Sequence, residues 1–441
     1  MWQKLLNLIR NKHFLSLASN GIMAVLAVLT VAILYRYMKP EEIGVWFFFM
    51  SVFILLDTFR TGFLQTALIK FYAGASKERA INVVGSTWYL GLIVTGISFV
   101  VTIPALFALP YITDAGTKVV IQWFSLTFFV TLPLVIAHWV LQAEQKFDGI
   151  LYLRVINQGS FLVYILILIV LDKMTIQNLM MVNVLGVVTT VVYIVYKKWL
   201  YLNTLKQRTK DCIQEIFHFG KYSVGTTISA NLLRSSDTFI INYLLGPAAV
   251  AVYNIPQRLM EIIEIPLRSF IATGMPALSA AYNENNQPEV AKLLKKYAGI
   301  LTVILIPVAA MALGLADIGV RLLGGEQYVN SEAANLFRIF MIFAIFFPID
   351  RFMGITLDVI HQPQLNFIKV IIMLVINVIG DFAGIYLLQN LYGVALASIP
   401  TFLFGVLFGY ICVKKYIRLH FFDFFTTGYR EIYTWIQNRR K

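Results

Sequence analysis

Charge is scarce in this 441-residue chain: Asp, Glu, Lys and Arg together make up 13% of it. A soluble domain carries about 25%, so water is excluded as the sole solvent. There are only two cysteines, Cys212 in a basic loop and Cys412 inside an apolar run. That spacing supports neither a disulfide frame nor a metal site. HExxH, GxSxG, CxxC and Gly-rich phosphate loops do not occur. The longest loop expected outside, near 317–332, holds Asp317, Arg321, Glu326 and Glu332 but no histidine. An enzyme building polymers at a membrane face usually needs a sizeable outer loop or domain. The expectation is therefore a protein that is not an enzyme, with no catalytic residues, metal or cofactor.

What is present in abundance is apolar surface: 59% of residues are hydrophobic and the mean hydropathy is +0.74. A span needs roughly 20 apolar residues at 1.5 Å rise each. Twelve stretches qualify, at 14–36, 44–69, 83–109, 119–143, 149–171, 176–196, 217–245, 250–276, 298–317, 333–360, 365–388 and 393–413. The fold class expected is an all-α polytopic membrane protein with short loops. The opening MWQKLLNLIRNKHF has the basic residues of a signal peptide, but the run from Phe14 to Leu34 is too long for one and reads as the first span.

Net charge is +13, and its placement argues against nucleic acid. With both termini cytoplasmic, 23 of the basic residues fall in inner segments, against five outside: Arg36, Lys39, Lys118, Lys173 and Arg321. The positive-inside rule accounts for that asymmetry. Trp2, Leu5, Leu6 and Ile9, and again Tyr429, Ile432, Tyr433 and Ile436, are spaced i, i+3, i+4, i+7 beside Lys and Arg. Both sets predict amphipathic helices lying in the headgroup layer, with membrane lipids as partners.

The chain is written twice. At an offset of 207, Pro40 lies on Pro247, Val45 on Val252 and Trp46 on Tyr253. The same offset lays LLDTFRTGF (55–63) over IIEIPLRSF (262–270), with Asp57 on Glu264 and Phe63 on Phe270. His13-Phe14 matches His218-Phe219, and Leu132-Pro133 meets Phe347-Pro348. Six spans are thus followed by six more, entering from the same side as parallel repeats. The organisation expected is an interfacial helix over 1–13, a six-helix lobe over 14–196, a basic cytoplasmic linker over 197–216, a second lobe over 217–413 and a basic amphipathic tail over 414–441.

Eight basic residues remain in or near the spans: Arg60, Lys221, Arg234, Arg258, Arg268, Arg338, Arg351 and Lys369. Asp57, Asp237, Glu261, Glu264, Asp350, Asp358 and Asp381 accompany them. Asp57 and Arg60 together oppose insertion by about 5–7 kcal/mol, while the dozen apolar residues of their span return roughly 4–7. Such groups must face a partner or a wet cavity. Asp57/Arg60, Arg234/Asp237 and Arg258/Glu261 are each i, i+3. Positions 258, 261, 264 and 268 share an arc of about 120°, a polar stripe that fits the wall of an aqueous cavity or a set of helix clamps. Pro256 and Pro266 in that helix permit bending. Lys369 reads as a snorkelling side chain near a span end. His13, His218 and His420 sit at span ends. His138, inside the fourth span, reads as a packing histidine, and Asn20, Asn183, Asn231 and Asn377 as interhelical hydrogen-bond formers.

YMKPEEIGVW after the first span and SSDTFIINYLLGPAAVAVYNIPQRL (235–259) resemble the polysaccharide and oligosaccharide-lipid flippases, a branch of the multidrug, oligosaccharidyl-lipid and polysaccharide exporter superfamily. The matching elements are Asp237, Ile240-Ile241, Leu245-Gly246-Pro247 and Tyr253; in the first half Lys39 stands where the pattern has glycine. The resemblance covers the chain in span number and loop pattern, and its motifs are specific to the superfamily more than to a substrate. It implies a MATE-like pair of pseudo-symmetric six-helix bundles in a V, working by alternating access. It implies a flippase for polyprenyl-pyrophosphate-linked oligosaccharide, serving O-antigen, exopolysaccharide or capsule-type synthesis in the inner membrane of a bacterium, beside polymerase and chain-length proteins.

On that resemblance Arg60, Arg234, Arg258 and Arg268 would hold the pyrophosphate and sugars. Asp57, Asp237, Glu261 and Glu264 would orient them or bind a coupling H⁺ or Na⁺, and Arg338, Asp350 and Arg351 are further cavity candidates. A multidrug exporter of the same superfamily, a lipid II flippase and a membrane-embedded glycan polymerase or ligase are the alternatives.

Overall fold

A computed structural model describes residues 12–440. The surface helix expected around Trp2, Leu5, Leu6 and Ile9 lies outside the described residues. Among those described, no strand occurs. The helices are α1 (Lys12–Tyr37), α2 (Pro40–Tyr72), α3 (Lys77–Phe107), α4 (Ala115–Ala143), α5 (Phe147–Val170), α6 (Ile176–Tyr196) and α7 (Lys210–Leu245). They continue with α8 (Pro247–Asn283), α9 (Gln287–Gly324), α10 (Ala333–Ala344), α11 (Phe347–Val359), α12 (Pro363–Leu388), α13 (Leu391–Lys414) and α14 (Asp423–Arg440).

Helix starts follow local chemistry. Ser76, Asp114, Thr175, Asn286 and Asn390 each accept a hydrogen bond from a backbone N–H of the first turn. Each thereby satisfies a donor that the helix leaves orphaned. Proline opens α2 and α8, where its missing N–H costs nothing. The two matched turns differ in backbone. Gly246 stands at φ +84°, which requires glycine, whereas Lys39 stands at φ −69°. An L-residue is at ease there, which explains the lysine.

Among the described residues, eight helices can cross a membrane by length and composition: α2, α3, α4, α5, α6, α9, α12 and α13. A ninth is α10 with α11, taken as one span bent by 49°. The described apolar part of α1, Ile22–Tyr37, is short, and charge and proline interrupt α7 and α8, so the count of twelve is not reached by this criterion. The chain is a multi-pass membrane protein. The span expected over 333–360 is bent and not straight, because Pro348 has no N–H to give Ala344, and its ring crowds that carbonyl. The matched Pro133 lies inside α4, which continues through it. Likewise α8 continues through Pro256, Pro266 and Pro276.

The chain divides into two compact units, Met1–Asn231 and Leu232–Lys441, so α7 begins in the first and ends in the second. In the first unit Leu64, Leu68, Trp88, Leu132, Ile136 and Trp139 form a core that also takes Cys212 and Ile216 from the start of α7. In the second, Leu278, Leu294, Leu301, Phe352, Leu357 and Phe424 do the same. The stretch read as a linker is not loose. A 3-10 helix, Leu202–Gln207, lies against α3, where a β-carbon on Gly85 would overlap the Thr204 carbonyl.

Close helix contact is carried by facing glycines. Gly384 of α12 meets Gly393 of α13, and Gly299 of α9 meets Gly428 of α14, each pair leaving no room for a β-carbon. Phe424 is fully buried under α14, while Tyr429 and Tyr433 are exposed and stacked at 6.3 Å. Lys295 Nζ donates to Asp423 Oδ2 at 2.7 Å and Lys296 pairs with Glu431 at 3.1 Å, fixing the tail to α9.

Gly428→Ala should push α14 off α9 at a cost of about 1–3 kcal/mol, read as a lower melting temperature in detergent. The hydrogen bond from Lys295, reinforced by its charge, holds the Asp423 carboxyl below the usual carboxylate range. A depressed carboxyl gives stability that is complete above its unfolded value of about 3.9 and is lost as pH falls through the lower folded value. The melting-temperature gap between wild type and Asp423→Asn should therefore be present at pH 7, begin to shrink near about pH 4 and vanish only once pH has fallen through the depressed folded value.

Candidate functional site

The Asp57–Arg60 pair joins α2 to α4. Arg60 is 0% exposed. Its Nε donates to Asp57 Oδ1 at 2.8 Å, Nη1 to the Phe128 carbonyl at 2.6 Å and Nη2 to Thr131 Oγ1 at 3.0 Å. The guanidinium also lies 4.0 Å from the Phe128 ring centre. These partners reach the guanidinium across its whole edge, as a planar fork of five donors allows. Arg60 was expected among the anion-binding arginines, but here it offers a ligand no surface and acts as a clamp between helices. In the same unit Arg154 Nη2 stands 3.5 Å from His138 Nε2, a neighbour that sequence proximity did not reveal.

The arginines of the second unit are placed differently. Glu261 of α8 accepts from Arg234 Nη2 of α7 and from Arg258 Nη1 of its own helix, both at 2.9 Å. About two turns along α8, Arg268 Nη2 donates to Glu264 Oε2 at 2.9 Å. The side chains of Arg234 and Arg268 are each 59% exposed and that of Arg258 33%. Five of the predicted residues are thus gathered on α7 and α8 as a polar stripe, with Glu261 bridging the two helices. The repeat is visible in the pairing, Asp57 with Arg60 and Glu264 with Arg268, but the exposure is inverted.

Asp237 does not pair with Arg234, as i, i+3 spacing suggested. Arg234 is long enough to reach Glu261, whereas the short Asp237 turns into a buried polar pocket between α7, α8 and α12. Tyr253 donates to Asp237 Oδ2 at 2.5 Å, Asn377 Nδ2 to Asp381 Oδ1 at 3.2 Å, and Ser236 Oγ to Asn377 Oδ1 at 3.3 Å. Asp381 is fully buried, and it and Asp237 lie within hydrogen-bonding reach of one another. Asp237 Oδ1 and Asp381 Oδ2 have no donor among the described residues. Two buried carboxyl groups thus meet with no basic partner among the described residues, an arrangement that desolvation and like charge both disfavour when both are ionised. Asp381 was assigned no role from sequence. Its signal was Asn377, one turn away on the same face of α12.

The remaining candidates are separate. Arg338 of α10 binds Asp317 at 2.5 Å and the Leu313 carbonyl at 3.1 Å, tying α10 to α9. Asp350 of α11 accepts from Lys369 Nζ at 2.8 Å, and both are buried. Lys369 is therefore paired inside the unit and does not snorkel to its end. Gly405 makes room for that pair, since a β-carbon there would meet Asp350 Oδ1. Arg351 is exposed on α11.

A helical architecture with paired charges in its spans is that of a multi-pass membrane protein. The structure is similar to an inward-facing multidrug resistance MATE family transporter of the MOP superfamily, with TM-score 0.75 and 18% identity over 89% of this chain and 95% of that one. It is similar to the lipid II flippase MurJ in an inward closed conformation, with TM-score 0.74 and 15% identity over 94% and 90%. It also resembles a MOP superfamily transporter from Pyrococcus furiosus, with TM-score 0.62 and 18% identity over 92% and 97%. At such identities the likeness is one of fold. No curated protein matches the sequence. Residues 33–334 match the family described as polysaccharide biosynthesis protein, and the chain belongs to that family.

Arg60→Gln should destabilise the protein by about 3–5 kcal/mol, since it leaves Asp57 without its partner in a buried site. Arg234→Gln, an exposed pair, should change stability by less than about 1 kcal/mol. Melting temperatures of the two variants in one detergent check the contrast.

Proposed function

We propose that the chain is a flippase that moves polyprenyl-pyrophosphate-linked oligosaccharide across the cytoplasmic membrane of a bacterium by alternating access. The observation that carries the proposal is the stripe of Arg234, Arg258 and Arg268 on α7 and α8, the first and last exposed and Arg258 half-buried, held in position by Glu261 and Glu264. A pyrophosphate needs fixed positive charge, and guanidinium forks match its oxygens while staying charged at any working pH. Membership of the polysaccharide biosynthesis family supports a glycan cargo. The name of the structurally similar MurJ supports a lipid-linked one. An exporter of organic cations would need uncommitted acids along such a stripe, whereas Glu261 and Glu264 are both bound to arginines.

Both termini are cytoplasmic on this reading, as the distribution of Lys and Arg favours. The protein acts as a transporter and not as an enzyme, and hands its cargo to polymerase and chain-length proteins. Asp237 and Asp381 bind the coupling ion, H⁺ or Na⁺, since their facing oxygens accept a proton or a small cation and Tyr253 and Asn377 hold them in place.

In proteoliposomes with a labelled lipid-linked oligosaccharide, Arg234→Gln, Arg258→Gln and Arg268→Gln should each slow flipping by roughly tenfold or more, as loss of a charge-assisted hydrogen bond implies. Asp237→Asn and Asp381→Asn should leave a basal rate that no longer responds to a proton or sodium gradient. Wild-type rates in all three arginine variants would remove the proposed cargo site.

A further inference from the structure

Between α6 and α7 the chain makes a fixed strap across one end of the first unit. Its backbone turns through left-handed conformations at Lys198 (φ 59°) and Tyr201 (φ 52°). Trp88 Nε1 donates to the Leu200 carbonyl at 3.2 Å. The Gly85 contact beneath Thr204 and the Trp199 ring against Gly149 complete the attachment. The Tyr201 side chain is partly buried here: burial and the charge of Glu144 push its phenol up to about 12.

The outer surface of this strap carries Lys197, Lys198, Lys206, Arg208 and Lys210, all exposed. Of the nearby acids, Glu144 and Glu215 are paired with Lys146 and Arg79, and Asp211 stands exposed beside Lys210 as a single negative charge against the five cations. Lys210 opens α7, where a cation faces the positive end of the helix dipole and the fold gains nothing from it. Aromatic rings border the cluster: Lys197 Nζ lies 5.8 and 5.6 Å from the Tyr193 and Tyr196 rings, and Tyr196 is 76% exposed. Leu202, on the strap itself, is also exposed.

We infer that the strap is a binding surface for anionic phospholipid headgroups, its lysines on the phosphates and Tyr196 and Leu202 in the interface beneath. The positive-inside rule alone asks only that a loop be basic during insertion. It does not ask that five cations be displayed on a backbone docked at the ends of apolar helices. A juxtamembrane basic cluster with interfacial aromatics is what attracts an anionic leaflet. The surface lies wholly within the first unit and does not depend on the cargo proposed above.

The test is titration of purified full-length protein in non-ionic detergent with phosphatidylglycerol or phosphatidylcholine, read by native mass spectrometry. Wild type should prefer phosphatidylglycerol by at least about fivefold, the effect expected of even one well-placed cation. Lys197→Gln/Lys206→Gln/Lys210→Gln should lose that preference, and the corresponding Lys→Arg variant should keep it. Equal affinity of wild type for the two lipids overturns the inference, as does a glutamine variant that keeps the preference. Displacement of phosphatidylglycerol by millimolar inorganic pyrophosphate assigns the surface to free phosphates and also overturns it. If the triple variant does not fold, Lys206→Gln/Lys210→Gln, both changes at exposed side chains, carries the same comparison.

Discussion

An ion inside an apolar medium must have a counter-ion, and the architecture described here follows from that constraint. Asp57 binds Arg60, Glu261 binds two arginines, Glu264 binds Arg268, Asp317 binds Arg338 and Asp350 binds Lys369. Each pair ties a helix to a neighbour or stiffens its own. What separates them is access. Desolvating a pair consumes much of its attraction, so the buried Arg60 and Lys369 pairs hold helices in register, while the exposed arginines of α7 and α8 keep guanidinium surface for something else. The Asp237–Asp381 pocket departs from the rule, since two acids meet there with no base among the described residues.

Much of this was legible in the sequence. Composition and run length identified a multi-pass helical protein, and the offset of 207 located matched proline turns that open α2 and α8. Local spacing predicted the Asp57–Arg60 and Arg258–Glu261 bonds correctly, because a helix alone brings i and i+3 together. It failed where a longer-range partner won. Arg234 reached Glu261 on another helix, and Asp237 turned to Tyr253 and Asp381. Whether an intramembrane arginine is exposed depends on which neighbours pack over it, so Arg60 and Arg268 read alike in one dimension and differ in three. The break at Pro348 was hidden for a related reason: prolines interrupt α4, α8 and α9 without ending them.

Small residues set how closely these helices approach. Gly384 against Gly393 and Gly299 against Gly428 bring backbones together where no side chain fits. In lipid, where apolar surface gains little by leaving the solvent, such contact supplies packing that burial cannot. The same device places the strap on α3 through Gly85, so a stretch that composition alone marks as a basic tether is part of the rigid body.

The paired turns ahead of α2 and α8 carry a consequence for descent. If one half arose by copying the other, position 246 has since been confined to glycine by its left-handed backbone, while position 39 has been free to take any side chain. Two copies of one turn therefore drift under unequal restraint. Among descendants of such a duplication the second copy would hold its Leu-Gly-Pro lettering longer, and the first would lose its likeness sooner without any loss of shape.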